Sequence, residues 1–587
     1  MLRKFFSVLG RFSLLAIVGL VAFAYLIAGL DEVVVRNPAG PSPRTEMDAK
    51  SETQAKVAGK ANEASASKAH HSTHLNESTR SIPEDLQVTL AALNASFESR
   101  WKEAGLESAP QADWLTVCRR LSLALVGTGM SLQEIRDLES LPEESRVSNH
   151  LERLLRDPRY HDYWAERFTR LYVGAVDGPF IAFRRRRFRS WLSEQLAENT
   201  RYDQLVRRLV TAEGLPTDRP EVNFLTVTLS TNEEGQPDPI RLAARTSRAF
   251  LGLRIDCMQC HDDFLGNVSL GDGERREGTQ KDFHALAAFY SNARFNGLQG
   301  IRTEDHPYEF QFLNAETTET VEPAVPFASH LLPQDGKPRE RLAAWLAHPE
   351  NHQASRAFVG RIWALLYGQA ITSAVDNIPL TIDPHPAHDL LADDFVKHGF
   401  DIRRLIRLIV LSRPYQVDSA SPFEVTELHE QEWAVFPLVR LRPEQVAGAV
   451  VQAARVKTID RDSSLVIQLM KLGGINDFVA RYGDIGEDEF DQDNVTITQR
   501  LIMLNGNLVK ESIEHNPVLN SSAHILMFSN DDRQAIENTY LCVLNRLPDE
   551  EELAAFTKRL AESKNREATI VDLFWVLLNC SELAWNH

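Results

Sequence analysis

Cysteine is scarce in this chain. Five in 587 residues exclude a small scaffold held by many disulfides. Positive charge is in deficit: Lys and Arg number 64 against 82 Asp and Glu, a net charge of −18. That balance excludes a nucleic-acid binder held by a broad basic face. The signatures of common enzymes are missing too. There is no Gly-x-Ser-x-Gly elbow, no phosphate-binding Gly-Lys-Ser/Thr loop and no Gly-x-Gly-x-x-Gly after a strand. His429-Glu430 opens like a zinc-protease helix, but position 433 is Trp, so the second His is lacking. Long apolar runs are absent except over residues 12–30, and large apolar residues almost vanish between 36 and 82.

What is present suits a globular body with an exported location. Apolar residues make up 43% and charged residues 25%, ordinary for a folded protein. The uncharged run at 12–30 is close to the roughly 20 residues of a membrane helix. Arg3, Lys4 and Arg11 precede it, and Asp31 and Glu32 follow. The positive-inside rule keeps residues 1–11 in the cytoplasm and sends the rest across. A cleaved signal peptide is the alternative, but its apolar region usually spans about 7–15 residues. The small-x-small site Ala22-Phe23-Ala24 also falls inside the run. The expectation is an uncleaved, single-pass anchor at 12–30 with the main body facing the periplasm or outside. Residues 31–82 read as a disordered tether, because so little apolar surface cannot offset the entropy of ordering. His70, His71 and His74 belong to that solvated tether.

From Pro83 onward the apolar period is mostly helical. Leu151, Leu154, Leu155, Trp164, Phe168 and Leu171 recur at helical spacing, with a break at Asp157-Pro158. Residues 184–211, 239–255, 280–292, 338–347, 355–367, 389–412, 443–456 and 549–562 carry similar faces. Ser131 with Glu134 predicts a capping box, and Pro548-Asp549 another helix start. Residues 313–337 hold Thr, Glu, Val and Pro with an Asp-Gly pair, and predict an extended linker with a short hairpin. The acidic stretch 483–498 lacks the ligand order of an EF-hand loop and reads as a surface loop. The fold class is therefore all-α: two tightly associated helical domains, 83–312 and 338–587, joined by a short extended/β linker at 313–337.

Cys257-Met258-Gln259-Cys260-His261 is the sharpest motif. A c-type haem takes two thiols three positions apart for its vinyl groups and an adjacent His for its iron. An exported location agrees with that chemistry. The next methionine after His261 is Met470, so a small cytochrome with His and Met ligands is not expected. His284, with Phe283, Leu286 and Phe289 on its helix, is a candidate sixth ligand or a packed core residue. Two other readings of the thiols stay open: a disulfide, or a metal site with Asp262 and Asp263. Cys118, Cys542 and Cys580 sit in apolar helical contexts and read as core cysteines. Arg184, Arg185, Arg186, Arg187 and Arg189 open a helix and cover more than half its circumference. They form a candidate anion-binding patch, or a salt-bridged surface with Glu194 and Glu198 as counter-charges.

Several segments in order carry a family resemblance. RRLSLALVG, LERLLRDPRYHDYWAERFTRLY, FRSWLSEQLAENTRYDQLVRRLV, RAFLGLRIDCMQCHDDF and TQKDFHALAAFYS resemble the planctomycete cytochrome-associated domain of unknown function. RERLAAWLAHPENHQASRAFVGRIWALLYGQAI, HPAHDLLADDFVKHGFDIRRLIRLIVLSRPYQ, ITQRLIMLNGNL and NRLPDEEELAAF resemble the planctomycete-specific domain that usually follows it. The resemblance covers residues 110–585. It implies an exported or membrane-attached protein found in company with cytochrome c domains. It also implies a role near extracellular macromolecule breakdown, without an established reaction. By position the motif falls on Cys257, Cys260 and His261. The family continues with Asp-His-Pro, whereas this chain has Asp262-Asp263-Phe264, so a second His is replaced. Arg361, Trp363, Gly368 and His385-Pro386 match the partner domain.

The expected function is a haem-linked redox or electron-transfer accessory near extracellular polysaccharide breakdown. Covalent haem c would be held by Cys257, Cys260, His261 and His284. Expected partners are the membrane, a cytochrome or other redox protein and an anionic polysaccharide, with no nucleic acid. A non-enzymatic scaffold with the thiols as a disulfide or metal staple is the alternative. A hydrolase using His and Asp of the second domain, such as His385, is a third.

Overall fold

The computed structural model divides after Asn76, and its second unit, Glu77–His587, is compact. It describes residues 83–587 apart from 176–183, 230–234, 264–267, 273–275, 314, 373, 379, 381–384, 464–467, 469–474, 476–477, 480, 483–489, 491–496 and 514–519. All described residues belong to the second unit. The anchor expected at 12–30 and the tether at 31–82 lie outside them, as does most of the acidic loop. Among the described residues no helix is long and apolar enough to cross a membrane.

Helices dominate, and their ends follow the sequence signals. Asp157 stops Glu143–Arg156 and caps Pro158–Val173, its carboxylate accepting from the Arg159 amide. Ser131 and Glu134 form the capping box of Leu132–Glu139, and Asp549 and Glu552 that of Glu550–Glu562. The 184–211 segment divides into Arg185–Ala197 and Tyr202–Val210, and Asn199 takes a positive φ of 51° between them. Gly368 ends His352–Tyr367 at φ 89°; a Cβ there would also come 2.5 Å from Val439 Cγ1. Four short antiparallel pairings complete the described structure. One pairs Glu309–Phe310 with Glu319–Thr320, so its first strand lies ahead of the 313–337 segment in which a hairpin was expected. Another joins Val439–Arg440 to Trp585–Asn586, returning the C-terminal end to mid-chain.

The core runs through both sides of the linker. One cluster extends from Leu86 to Phe436. Tyr202 stacks on Phe358 at 3.7 Å, and Phe168 meets the same ring edge-on at 6.1 Å. A second cluster joins Leu132, Ile135 and Leu138 to residues between Leu441 and Leu583. The Trp114–Val126 helix belongs to both. Val117, Leu121 and Leu125 enter the first, and Leu115, Cys118 and Leu123 the second. Its apolar residues cover the whole circumference, which is why it lies at the seam. Cys118 and Cys542 are core residues, as the sequence suggests, and burial raises the Cys542 thiol to about 12.

Arg339, 2% exposed, ties the start of Pro338–Leu346 to the earlier half. Its guanidinium donates to the carbonyls of Ala212 (2.9 Å) and Val210 (3.2 Å), to Thr303 Oγ1 (2.6 Å) and to Asn292 Oδ1 (3.3 Å). Burial lowers its pKa, with Glu213 opposing. Arg339→Met keeps the aliphatic length but strands these acceptors, and should destabilise by about 3 kcal/mol in urea unfolding. Arg533→Met, which removes an exposed Arg533–Glu537 pair, should change stability by less than about 0.5 kcal/mol.

Candidate functional site: an exposed thiol turn

The helix Pro239–Leu251 ends at Gly252, whose φ of 59° sends the chain back through Leu253 and the buried Ile255. A single 3-10 turn, Asp256–Gln259, follows. Met258 is 0% exposed and anchors the turn inward. Gly278 makes room for it, since a Cβ there would collide with the Met258 sulfur. Cys257 and Cys260 lie on the other side, exposed and unbridged, and His261 is exposed beside them. The Cys260 amide donates to the Cys257 carbonyl at 3.3 Å, so both thiols belong to one local turn.

The carboxylates around this turn are all engaged, although Asp263 is buried, Asp256 half-buried and Asp262 exposed. Asp262 accepts from the Gln280 amide at 2.7 Å, at the start of Gln280–Ala288, where a helix N-terminus favours negative charge. Asp263 is 4% exposed and accepts from the Val268 amide at 2.5 Å. Asp256 pairs with Arg248. Among the described residues no three His, Cys, Asp or Glu side chains converge to hold a metal ion. Burial, then the negative charges of Asp263 and Asp256, raise the Cys257 pKa, so the thiol stays protonated at neutral pH. A nucleophilic or zinc-binding thiolate needs the opposite environment.

His261 Nδ1 lies 2.7 Å from the Asp262 carbonyl oxygen. A carbonyl only accepts, so Nδ1 carries the proton and Nε2 keeps the lone pair that an axial ligand uses. Two exposed thiols at i and i+3 and a neighbouring imidazole in this tautomer fit covalent haem attachment. His284 has a different task. It is buried, its Nε2 donates to the Gln259 carbonyl at 3.0 Å, and Tyr308 Oη donates to its Nδ1 at 2.8 Å. Both nitrogens are thus engaged in holding the turn between the two thiols. Burial lowers its pKa and keeps it neutral. Gln280 Nε2 also donates to the Gln259 carbonyl, at 3.1 Å. The sequence reasoning did not pick out Gln280, Tyr308 or Phe310. The alternation of Tyr308, Phe310 and Phe312 was the available signal for one face of a strand.

The arginine run divides in two. Arg185 reaches Glu166 at 2.6 Å and 3.2 Å, and Arg189 lies 3.7 Å from the same carboxylate. Burial raises the Glu166 pKa, but the Arg185 guanidinium outweighs it and holds the carboxyl below its usual range. The counter-charge that meets Arg185 and Arg189 is therefore Glu166, on Pro158–Val173. Arg186 and Arg187 are exposed.

His385 caps Pro386–Lys397, its Nδ1 accepting from the Ala387 amide at 3.2 Å. Its Nε2 lies 3.8 Å from Glu432 Oε2, and Arg100 grips Glu432 through two bonds of 2.6 Å. With Nδ1 already accepting, His385 has no lone pair to offer as a general base. Ser122 and His150 make a 2.8 Å hydrogen bond with Glu134 nearby, but all three are at most 3% exposed and no substrate reaches them. Trp363, one of the residues that match the partner domain, is a fully buried core residue.

Two protein families match the chain. PSCyt2, a protein of unknown function (DUF1549), matches residues 92–295, which include the thiol turn. PSD1, a protein of unknown function (DUF1553), matches residues 338–465, which include His385. No curated protein and no solved structure matches.

Two outcomes follow from this geometry. Burial, and secondarily Arg100, lower the His385 pKa to about 4, against about 6.5 when unfolded. The unfolded chain then binds more protons between those values, so stability present above pH 6.5 is lost as pH falls toward 4. His385→Asn keeps a capping side chain and removes the titration. It should recover on the order of 2 kcal/mol of that acid loss, read from urea unfolding at pH 7 and 4.5. In the arginine run, Arg185→Gln should cost about 1 kcal/mol by removing the nearest of three guanidinium partners of Glu166, whereas Arg186→Gln with Arg187→Gln should leave the thermal midpoint nearly unchanged.

Proposed function

Since the chain carries a PSCyt2 domain followed by a PSD1 domain, both of unknown function, we propose its activity from its own residues: a covalent haem on Cys257 and Cys260, used for electron transfer. His261 would ligate the iron through Nε2. The haem would supply one-electron chemistry. The chain's part is to present both thiols on one turn, to hold the His261 proton at Nδ1 and to fix Gln259 through His284 and Gln280. The protein would be exported, anchored by residues 12–30, and act as a redox accessory beside extracellular polysaccharide breakdown. A cytochrome or other redox protein would be its partner. Arg186 and Arg187 would offer contacts to an anionic polymer.

The observation that carries this reading is the joint exposure of Cys257, Cys260 and His261 on one short turn whose neighbouring acids are engaged by backbone amides or by Arg248. A metal staple would need further ligands, and among the described residues no three His, Cys, Asp or Glu side chains converge. A disulfide staple would close a very short ring and remove little chain entropy from the unfolded state. A hydrolase would need an accessible base, and His385 and His150 do not supply one.

Expression with periplasmic haem-attachment machinery tests the proposal. Intact mass should show one haem adduct, and a haem stain should persist on a denaturing gel. Cys257→Ser with Cys260→Ser should abolish both signals, and His261→Ala should keep the adduct but change the iron spectrum. An unmodified mass with two thiols open to alkylation would sink it.

A further inference from the structure

A second surface adjoins the thiol turn. Tyr308, Phe310 and Phe312 alternate along one strand of the hairpin Glu309–Phe310 with Glu319–Thr320 and its extension. Phe310 stacks on the buried His284 at 3.5 Å, and Phe312 meets Phe310 edge-on at 5.3 Å and His284 at 5.8 Å. The ring of Phe312 is half-buried, and Leu313 after it is 67% exposed. Their place is set by one side chain. Gln280 Oε1 accepts from the Leu313 amide at 3.2 Å, while Gln280 Nε2 donates to the carbonyl of Gln259, between the two cysteines. An apolar shelf is therefore pinned beside two exposed thiols. Covering an exposed leucine removes apolar surface from water, so this shelf has binding energy in reserve.

We infer that Phe312 and Leu313 form the apolar wall on which a porphyrin tethered at Cys257 and Cys260 lies, with His284 and Gln280 as positioning residues. This rests on the haem reading above. The occupant is a flat, largely apolar ring because the wall is aromatic and aliphatic and the groups beside it are two exposed thiols and the exposed imidazole of His261. The carboxylates near the turn are spent on backbone amides and on Arg248, so they do not compete for the ring. His284 matters because it joins the stacked Phe310 to Gln259. Wall and thiols therefore keep one spacing.

The test separates wall from tether by using haemin as probe on the full chain with Cys257→Ser and Cys260→Ser, which cannot be attached covalently. Haemin should bind and shift its absorption band. Adding Leu313→Glu should weaken that binding roughly ten-fold or more. Leu298→Glu, at an exposed leucine on a different hairpin, should not. Leu313 is largely solvated, so its change should leave the thermal midpoint intact. In the wild-type protein carrying attached haem, Leu313→Glu should shift the reduction potential and visible spectrum without reducing the adduct mass. If the wild type carries haem but the thiol-free chain ignores haemin, or binds it equally with Glu at 313, the wall is wrong and the haem reading stands. Were the thiol-free chain to bind haemin through Leu313 while the wild type stays unmodified, the wall would stand and covalent attachment would fall. Should Leu313→Glu only abolish self-association and spare haemin binding, a second copy covers the shelf, and the inference is overturned.

Discussion

A buried guanidinium wrapped in backbone carbonyls is the interaction on which this architecture depends. Arg339 holds Val210 and Ala212, and Arg120 holds Tyr415, Val417 and the carbonyl of His587. Moving a charge out of water is costly, and burial brings Arg120 down to about 10, still charged at neutral pH. Several directed carbonyl bonds, with Phe436 stacked 3.7 Å beneath Arg120, offset that cost only when every partner segment is in place. Such contacts couple distant stretches all or none. They explain why residues before and after the extended linker share one core, and why the C-terminal end is drawn back to the Trp114–Val126 helix.

The same logic shapes the thiol turn. Every neighbouring carboxylate has a backbone amide or an arginine as its partner, so local negative charge is spent on building the turn. The thiols and His261 are left outside because Met258 takes the inward position. His284, a plausible metal ligand by composition, is consumed as a brace: a neutral imidazole with one donor and one acceptor bridges a carbonyl and a tyrosine hydroxyl. In the later half His385 is likewise committed, as a helix cap beside an arginine-held glutamate. Its neutrality is a product of burial and of Arg100, not of a catalytic partner.

Much of the helical frame was legible in the chain itself. The break at Asp157-Pro158, the capping box at Ser131 and the start at Asp549 are local events, decided within a few residues by side-chain hydrogen bonds and the missing proline amide. The thiol motif was legible for the same reason, because spacing within five residues sets which atoms share a turn. The hairpin was seen only coarsely. Tyr308, Phe310 and Phe312 precede the segment in which it was expected, and packing alone decided what their rings meet.

By itself, then, the sequence determined the helical class, the helix ends, the core cysteines and the two-family order, all written in local periodicity and short motifs. Tertiary structure alone decided which charges pair and which histidines are spent. Glu166 meets Arg185, Arg339 crosses the linker, and His284 turns inward to Gln259. The physical reason is range. Capping and amphipathicity act over one or two helical turns, whereas a buried polar group is satisfied by whichever partner the packed core brings within about 3 Å, however far along the chain it lies.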